Sequence, residues 1–171
     1  MAFEVREARA EEYAEAGRVT ADAYREYFEP ADPDRPYLQR IGDIDGRADR
    51  TTILVAIEDG RILGSLTLEL EGRVGDWDGD PPLGTGEAHI RMLGVGPATR
   101  SRGVGTALMR IAEDRARAAG KTFVTLNTTE RMQVAQRMYE RLGYVRGRDH
   151  VFPDGFVLLS YRKELSADGS T

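Results

Sequence analysis

From Phe3 to Arg9 apolar and polar residues alternate weakly, as in a strand, and from Ala10 to Phe28 the positions Tyr13, Gly17, Thr20, Ala21 and Tyr24 fall on one helix face. The proline-rich run from Glu29 to Pro36 ends that helix, and Tyr37 to Ile44 predicts a short second one. Two β-rich runs, Thr52–Glu58 and Arg61–Glu71, flank Asp59-Gly60, a dipeptide suited to the positive φ angles of a two-residue hairpin. Further along, the pattern predicts a strand over Glu87–Val95, a helix over Gly103–Ala119 ended by Gly120, a strand over Thr122–Leu126 and a helix over Arg131–Leu142 ended by Gly143. Tyr144–Val151 and Phe156–Arg162 read as a closing antiparallel pair. The order predicts a mixed α/β sheet packed with helices, a single domain over residues 1–165, and a disordered polar tail over 166–171. Gly72 to Gly86 is a long surface loop with five glycines, two prolines and the acids Asp76, Asp78 and Asp80 around the single Trp77; such a loop is either functional or simply solvated.

Composition narrows the chemistry. With 171 residues, 40% of them apolar, the chain can bury a substantial core. It has no cysteine, which excludes disulfides, thiolate metal clusters and a cysteinyl-acyl enzyme, and with only His89 and His150 no metal site is expected. A net charge of −5 argues against non-specific nucleic-acid binding. The charged start and the lack of a membrane-length apolar run predict a cytoplasmic protein. All but Lys121 and Lys163 of the 24 basic residues are arginines.

The most informative stretch is Val95-Gly96-Pro97-Ala98-Thr99-Arg100-Ser101-Arg102-Gly103-Val104-Gly105-Thr106, which joins a strand to a helix through residues with little side-chain bulk. A helix N-terminus offers unpaired N–H groups and about half a positive charge, so it can hold a phosphate if no Cβ blocks it. Gly103 and Gly105 remove that obstruction, and Arg100 and Arg102 flank the turn. Spacing alone leaves a second reading open, in which the glycines serve only the turn and close packing. The dinucleotide fingerprint fails at Leu108, and no Gly-Lys-Ser/Thr sequence exists for a P-loop.

Arg100-Ser101-Arg102-Gly103-Val104-Gly105 resembles the (Gln/Arg)-x-x-Gly-x-(Gly/Ala) signature of the GCN5-related N-acetyltransferases, and Ala135-Gln136-Arg137-Met138-Tyr139-Glu140-Arg141-Leu142-Gly143-Tyr144 resembles that family's second motif. The likeness extends from Phe3 to about Arg162, with its specific motifs between Glu87 and Tyr144; Met132 departs from it where many members carry an asparagine beside the cofactor. The resemblance implies a mostly antiparallel, twisted sheet of about seven strands flanked by about four helices. It also implies acetyl-CoA as co-substrate, held by the amides of Arg100, Ser101, Arg102, Gly103, Val104, Gly105 and Thr106 and by the bulged backbone of Leu93, Gly94 and Val95. Transfer to the amine is then direct, with a backbone N–H near Leu93 to Val95 stabilising the oxyanion.

An amine is mostly protonated at neutral pH, so attack requires a base. The resemblance places one about eleven residues before the signature, which selects His89, with Glu87 on the same strand face as the alternative; both also fit ordinary strand positions. Tyr139 matches the tyrosine that protonates the leaving thiolate, although Met132, Ala135, Tyr139 and Leu142 also form a core stripe. The acceptor is expected to be a small-molecule or peptide amine. Tyr24, Tyr27 and Phe28, Trp77 among its aspartates, and Phe152–Phe156 suit a cation, and equally a hydrophobic core beside a solvated loop. The chain would act as monomer or homodimer. The rival readings are a non-catalytic acyl-CoA sensor and, more remotely, a nucleotide-binding domain.

Overall fold

A computed structural model of the protein describes residues 2–29, 31, 36–75 and 80–166. In chain order its elements are β1 (Glu4–Glu7), α1 (Tyr13–Tyr24), α2 (Tyr37–Gly42), β2 (Thr52–Glu58), β3 (Arg61–Glu69), β4 (Glu87–Val95), α3 (Val104–Ala118), β5 (Phe123–Thr129), α4 (Gln133–Arg141), β6 (Val145–Arg146), β7 (His150–Val151) and β8 (Val157–Glu164). The strands form one sheet in the order β1-β2-β3-β4-β5-β8-β6, with β7 also on β8, and only the β4–β5 pair is parallel.

The Asp59-Gly60 turn forms as its residues dictate, with φ of 50° and 76° between paired Glu58 and Arg61. The first helix is shorter than its periodicity suggested, because single 3₁₀ turns at Ala10–Glu12 and Arg25–Tyr27 take up its ends. The expected strand over Tyr144–Val151 divides into β6 and β7. Arg146 and Asp149 bridge the intervening bend at 2.5 Å, and both halves pair with β8, giving eight strands where about seven were expected. The loop after β3 closes on itself through Val74 N–H to Pro81 O and Leu83 N–H to Gly72 O, both 2.9 Å; Trp77 with Asp76 and Asp78 lies outside the described residues, as does the tail beyond Ser166.

Strand alternation sends two sets of side chains to two helical layers. Leu54, Leu66, Leu68, Ala88, Ile90 and Leu126 pack under α3 and α4 against Val104, Leu108, Met109 and Tyr139. Each such Leu or Ile contributes about 1.5–3 kcal/mol on burial. The opposite face packs Ile53 and Val55 against Ala16 and Ile44, while Met92 meets Ala21, Leu38 and Ile41. Near the centre this second face turns polar: Thr67, Glu69 and His89 are buried.

Two buried polar devices lock the layers. Arg47, 2% exposed, donates from Nε to Thr67 Oγ1 at 3.0 Å and from its terminal nitrogens to the carbonyls of Arg40, Ile41 and Asp43, so it caps the end of α2 and ties it to β3. On the other side, buried Glu113 of α3 accepts from Tyr144 Oη and from Lys163 Nζ, each at 2.9 Å. No helix among the described residues is long and apolar enough to cross a membrane.

Candidate active site

The sheet opens at one end. β4 pairs with β5 only from Glu87–Ile90 to Phe123–Leu126; beyond that, Arg91–Val95 and Asn127–Thr129 continue without pairing to each other. A bulge accompanies the divergence. Thr67 of β3 opposes Arg91 and Ser65 opposes Gly94, so Leu66 alone faces both Met92 and Leu93. Met92 holds φ at 55°, an unfavourable value for a long side chain and of the kind that collects at functional sites. The irregularity therefore centres on Met92 and Leu93, slightly before the Leu93–Val95 expected from sequence. Gly94 has its own cause: a Cβ there would lie 3.0 Å from Thr20 Cγ2 and 3.1 Å from Ala23 Cβ, so α1 rests on bare backbone.

After Val95 the chain makes a 3₁₀ turn at Pro97–Thr99, passes through Ser101 at φ 69° and Gly103 at φ 80°, and enters α3 at Val104. Gly103 satisfies that left-handed geometry without the penalty a side chain would incur. At the start of α3 the amides of Val104, Gly105 and Thr106 precede the first bond of the helix, Ala107 N–H to Gly103 O at 3.0 Å, and have no carbonyl of the helix to donate to. A Cβ on Gly105 would come within 3.2 Å of Met138 Sδ, so this glycine keeps the seam between α3 and α4 narrow yet open. The arginine side chains go elsewhere: Arg100 pairs with Glu26 at 2.6 Å, and Arg102 grips Glu58 through bonds of 3.1 and 2.7 Å. In this structure the guanidinium groups that sequence set beside the turn are thus engaged by carboxylates. Free amides beside open strand edges fit an anionic group that continues into an arm able to pair like a strand.

Glu87 and His89 stand on the α1/α2 face at the base of the opening, joined by a residue that local sequence did not reveal. Thr125 of β5, cross-strand neighbour of His89, donates its hydroxyl proton to Glu87 Oε2 at 2.5 Å, while its Oγ1 lies 2.8 Å from His89 Nδ1. Because the threonine proton is committed to Glu87, Nδ1 must donate, which leaves the lone pair of His89 on Nε2. Burial, reinforced by Arg91, pulls the imidazole down to about 3, so His89 is neutral at physiological pH and a weaker base than its residue type suggested. Glu87 also accepts from Gly84 N–H at 2.8 Å. Beside them Arg91 and the buried Glu69 pair at 2.6 Å.

Tyr139 approaches from α4, on the opposite face, packed edge-on against Tyr144 and tilted against Tyr161 at centroid distances of 6.1 and 5.8 Å. Burial, with smaller effects from Tyr27 and Tyr161, holds its hydroxyl protonated far into the alkaline range. Tyr24 of α1 is raised in the same way, first by burial and then by Tyr139, and its ring packs edge-on against Tyr27 at 6.5 Å. Sequence marked Tyr24 only as an acceptor-side aromatic. His150 stacks edge-on with Phe152 at 4.4 Å on an exposed strand and joins none of this. Among the described residues no cluster of His, Asp and Glu could hold a metal.

A sheet parted beside a strand-to-helix turn with free amides is the architecture of an acyltransferase that uses a phosphate-bearing carrier. Residues 18–144 match the Acetyltransferase (GNAT) family, and the chain belongs to it. It is 34% identical over 113 residues to S-(2-succino)cysteine N-acetyltransferase of Bacillus subtilis strain 168; the match covers 65% of each chain, a little under two-thirds of that relative's length. Solved structures share the fold: a GNAT family acetyltransferase from Brucella melitensis in complex with acetyl-CoA (TM-score 0.62, 24% identity, 91% of this chain and 94% of that one) and one from Staphylococcus aureus Mu50 (0.70, 17%, 96% and 100%).

Proposed function

We propose that the protein is an N-acetyltransferase that acylates the amine of a small molecule derived from an amino acid. The observation that carries this reading is the pairing, around one opening in the sheet, of a proton path on one face with a buried phenol on the other. The name of the Bacillus subtilis relative supports the acceptor class. The cationic acceptor expected from sequence leaned in part on Trp77, Asp76 and Asp78, which lie outside the described residues.

When bound, acetyl-CoA supplies an activated acyl group; the amides of Arg100–Thr106 hold its phosphates, and the edge of Leu93–Val95 aligns its arm. A backbone N–H of the bulge donates to the acyl oxygen as negative charge gathers there. His89 Nε2 takes the proton of the incoming ammonium group, Nδ1 passes its own proton to Thr125 Oγ1, and the threonine proton moves to Glu87 Oε2. His89 ends neutral, as it began, and Glu87 ends protonated. Tyr139, kept protonated, gives its proton to the departing sulfur.

Thiol release from acetyl-CoA across a panel of amino acids, their S-alkylated derivatives, polyamines and peptides tests this reading. Acceptor-dependent release with a small amino-acid derivative is expected. Coenzyme A binding without release on any amine would instead identify a sensor, and release only with peptides would overturn the acceptor class.

A further inference from the structure

Among the described residues one buried side-chain polar atom has no hydrogen-bond partner, Thr128 Oγ1. The residue is 4% exposed. A buried hydroxyl left unpaired costs stability, so such an atom calls for a reason. Its position supplies one. Thr128 lies on β5 two residues past Leu126, the last residue paired to β4, where the strand has lost its neighbour on that side. It follows Val124 and Leu126 in alternation and thus belongs to the face covered by α3 and α4, the layer in which the free amides of the turn also lie. The unpaired stretch of β5 that carries it faces, across the opening, the unpaired stretch of β4 with the bulge at Met92 and Leu93. At the start of α4, Met132 carries a thioether, and Gln136 spends its amide on the carbonyls of Thr129 and Glu130.

We infer that Thr128 Oγ1 is a binding group for the arm of the acyl carrier, donating its proton to an amide carbonyl of the pantetheine once that arm lies between β4 and β5. This rests on the coenzyme A reading of the site and adds to it a residue whose hydroxyl the free protein leaves unused. Thr128→Val keeps shape and removes the hydroxyl, whereas Thr128→Ser keeps the hydroxyl.

Calorimetric titration should give Thr128→Val about a three- to tenfold weaker Kd for coenzyme A, the loss expected for one neutral hydrogen bond, and Thr128→Ser an affinity close to the parent's. Adenosine 3′,5′-diphosphate, which keeps two of the three phosphates of coenzyme A but has no arm, should bind all three proteins equally. Thermal unfolding without ligand should find Thr128→Val at least as stable as the parent, since it deletes an unpaired buried group. Unchanged coenzyme A affinity in Thr128→Val overturns the inference and makes the atom a site for buried water. Equal weakening for the armless nucleotide, or for Thr128→Ser, overturns it too by exposing a general disturbance. Failure of the unaltered protein to bind coenzyme A would instead defeat the underlying reading of the site.

Discussion

Acidification tests the environment of His89 directly. In the unfolded chain the imidazole titrates near 6.5, whereas burial and Arg91 bring it to about 3 in the folded protein. The folded state therefore binds this proton less readily than the unfolded one: stability from the site is complete above pH 6.5, drains away as pH falls, and is gone once pH passes below 3. At about 1.4 kcal/mol per unit the full loss is roughly 5 kcal/mol, a large part of a typical domain's stability. Urea unfolding of the parent and His89→Gln at pH 7, 6, 5 and 4 isolates the effect, because other titrating groups are common to both. The stability difference should move against the parent by about 1.4 kcal/mol per pH unit between pH 6 and 4. A flat difference, or an NMR titration of His89 with a midpoint near 6.5, would refute the burial argument.

Gly105→Glu places a carboxylate in the seam against Met138 and should weaken coenzyme A binding at least tenfold in titration calorimetry, with a cooperative thermal transition retained. Tyr139→Phe keeps the ring contacts with Tyr144 and Tyr161 and removes the proton donor, so kcat should fall about 10²-fold while the coenzyme A Kd stays put; an unchanged kcat would exclude Tyr139 from the reaction. Thr125→Val should lower kcat at least tenfold and Thr125→Ser should recover most of it, whereas equal loss in both would mean that Thr125 only packs.

What sequence revealed was local. The Asp59-Gly60 hairpin is set by adjacent residues, the bounds of β4 by its apolar run, and the amide-lined turn by Gly103 and Gly105, so each was legible without tertiary information. The features that finish the site arise between strands far apart in the chain. Thr125 meets His89 only because β4 and β5 pair in parallel at that register. The bulge at Met92 depends on how β3 and β4 count against each other, and the low proton affinity of His89 depends on a roof that no periodicity describes. Arg47 reads in sequence as one more arginine; only the end of α2, folded over it, makes it a cap.

The bond between Lys163 and Glu113 bears on life beside a reactive thioester. Acetyl-CoA modifies lysines without any enzyme, provided that they can shed a proton and reach solvent. Here Lys163 keeps only 13% of its side chain exposed and rests as an ammonium on a carboxylate, and the remaining basic side chains, apart from Lys121, are guanidinium groups that do not acetylate under such conditions. Next to such a reagent the chain thus offers Lys121 and little other lysine to mark.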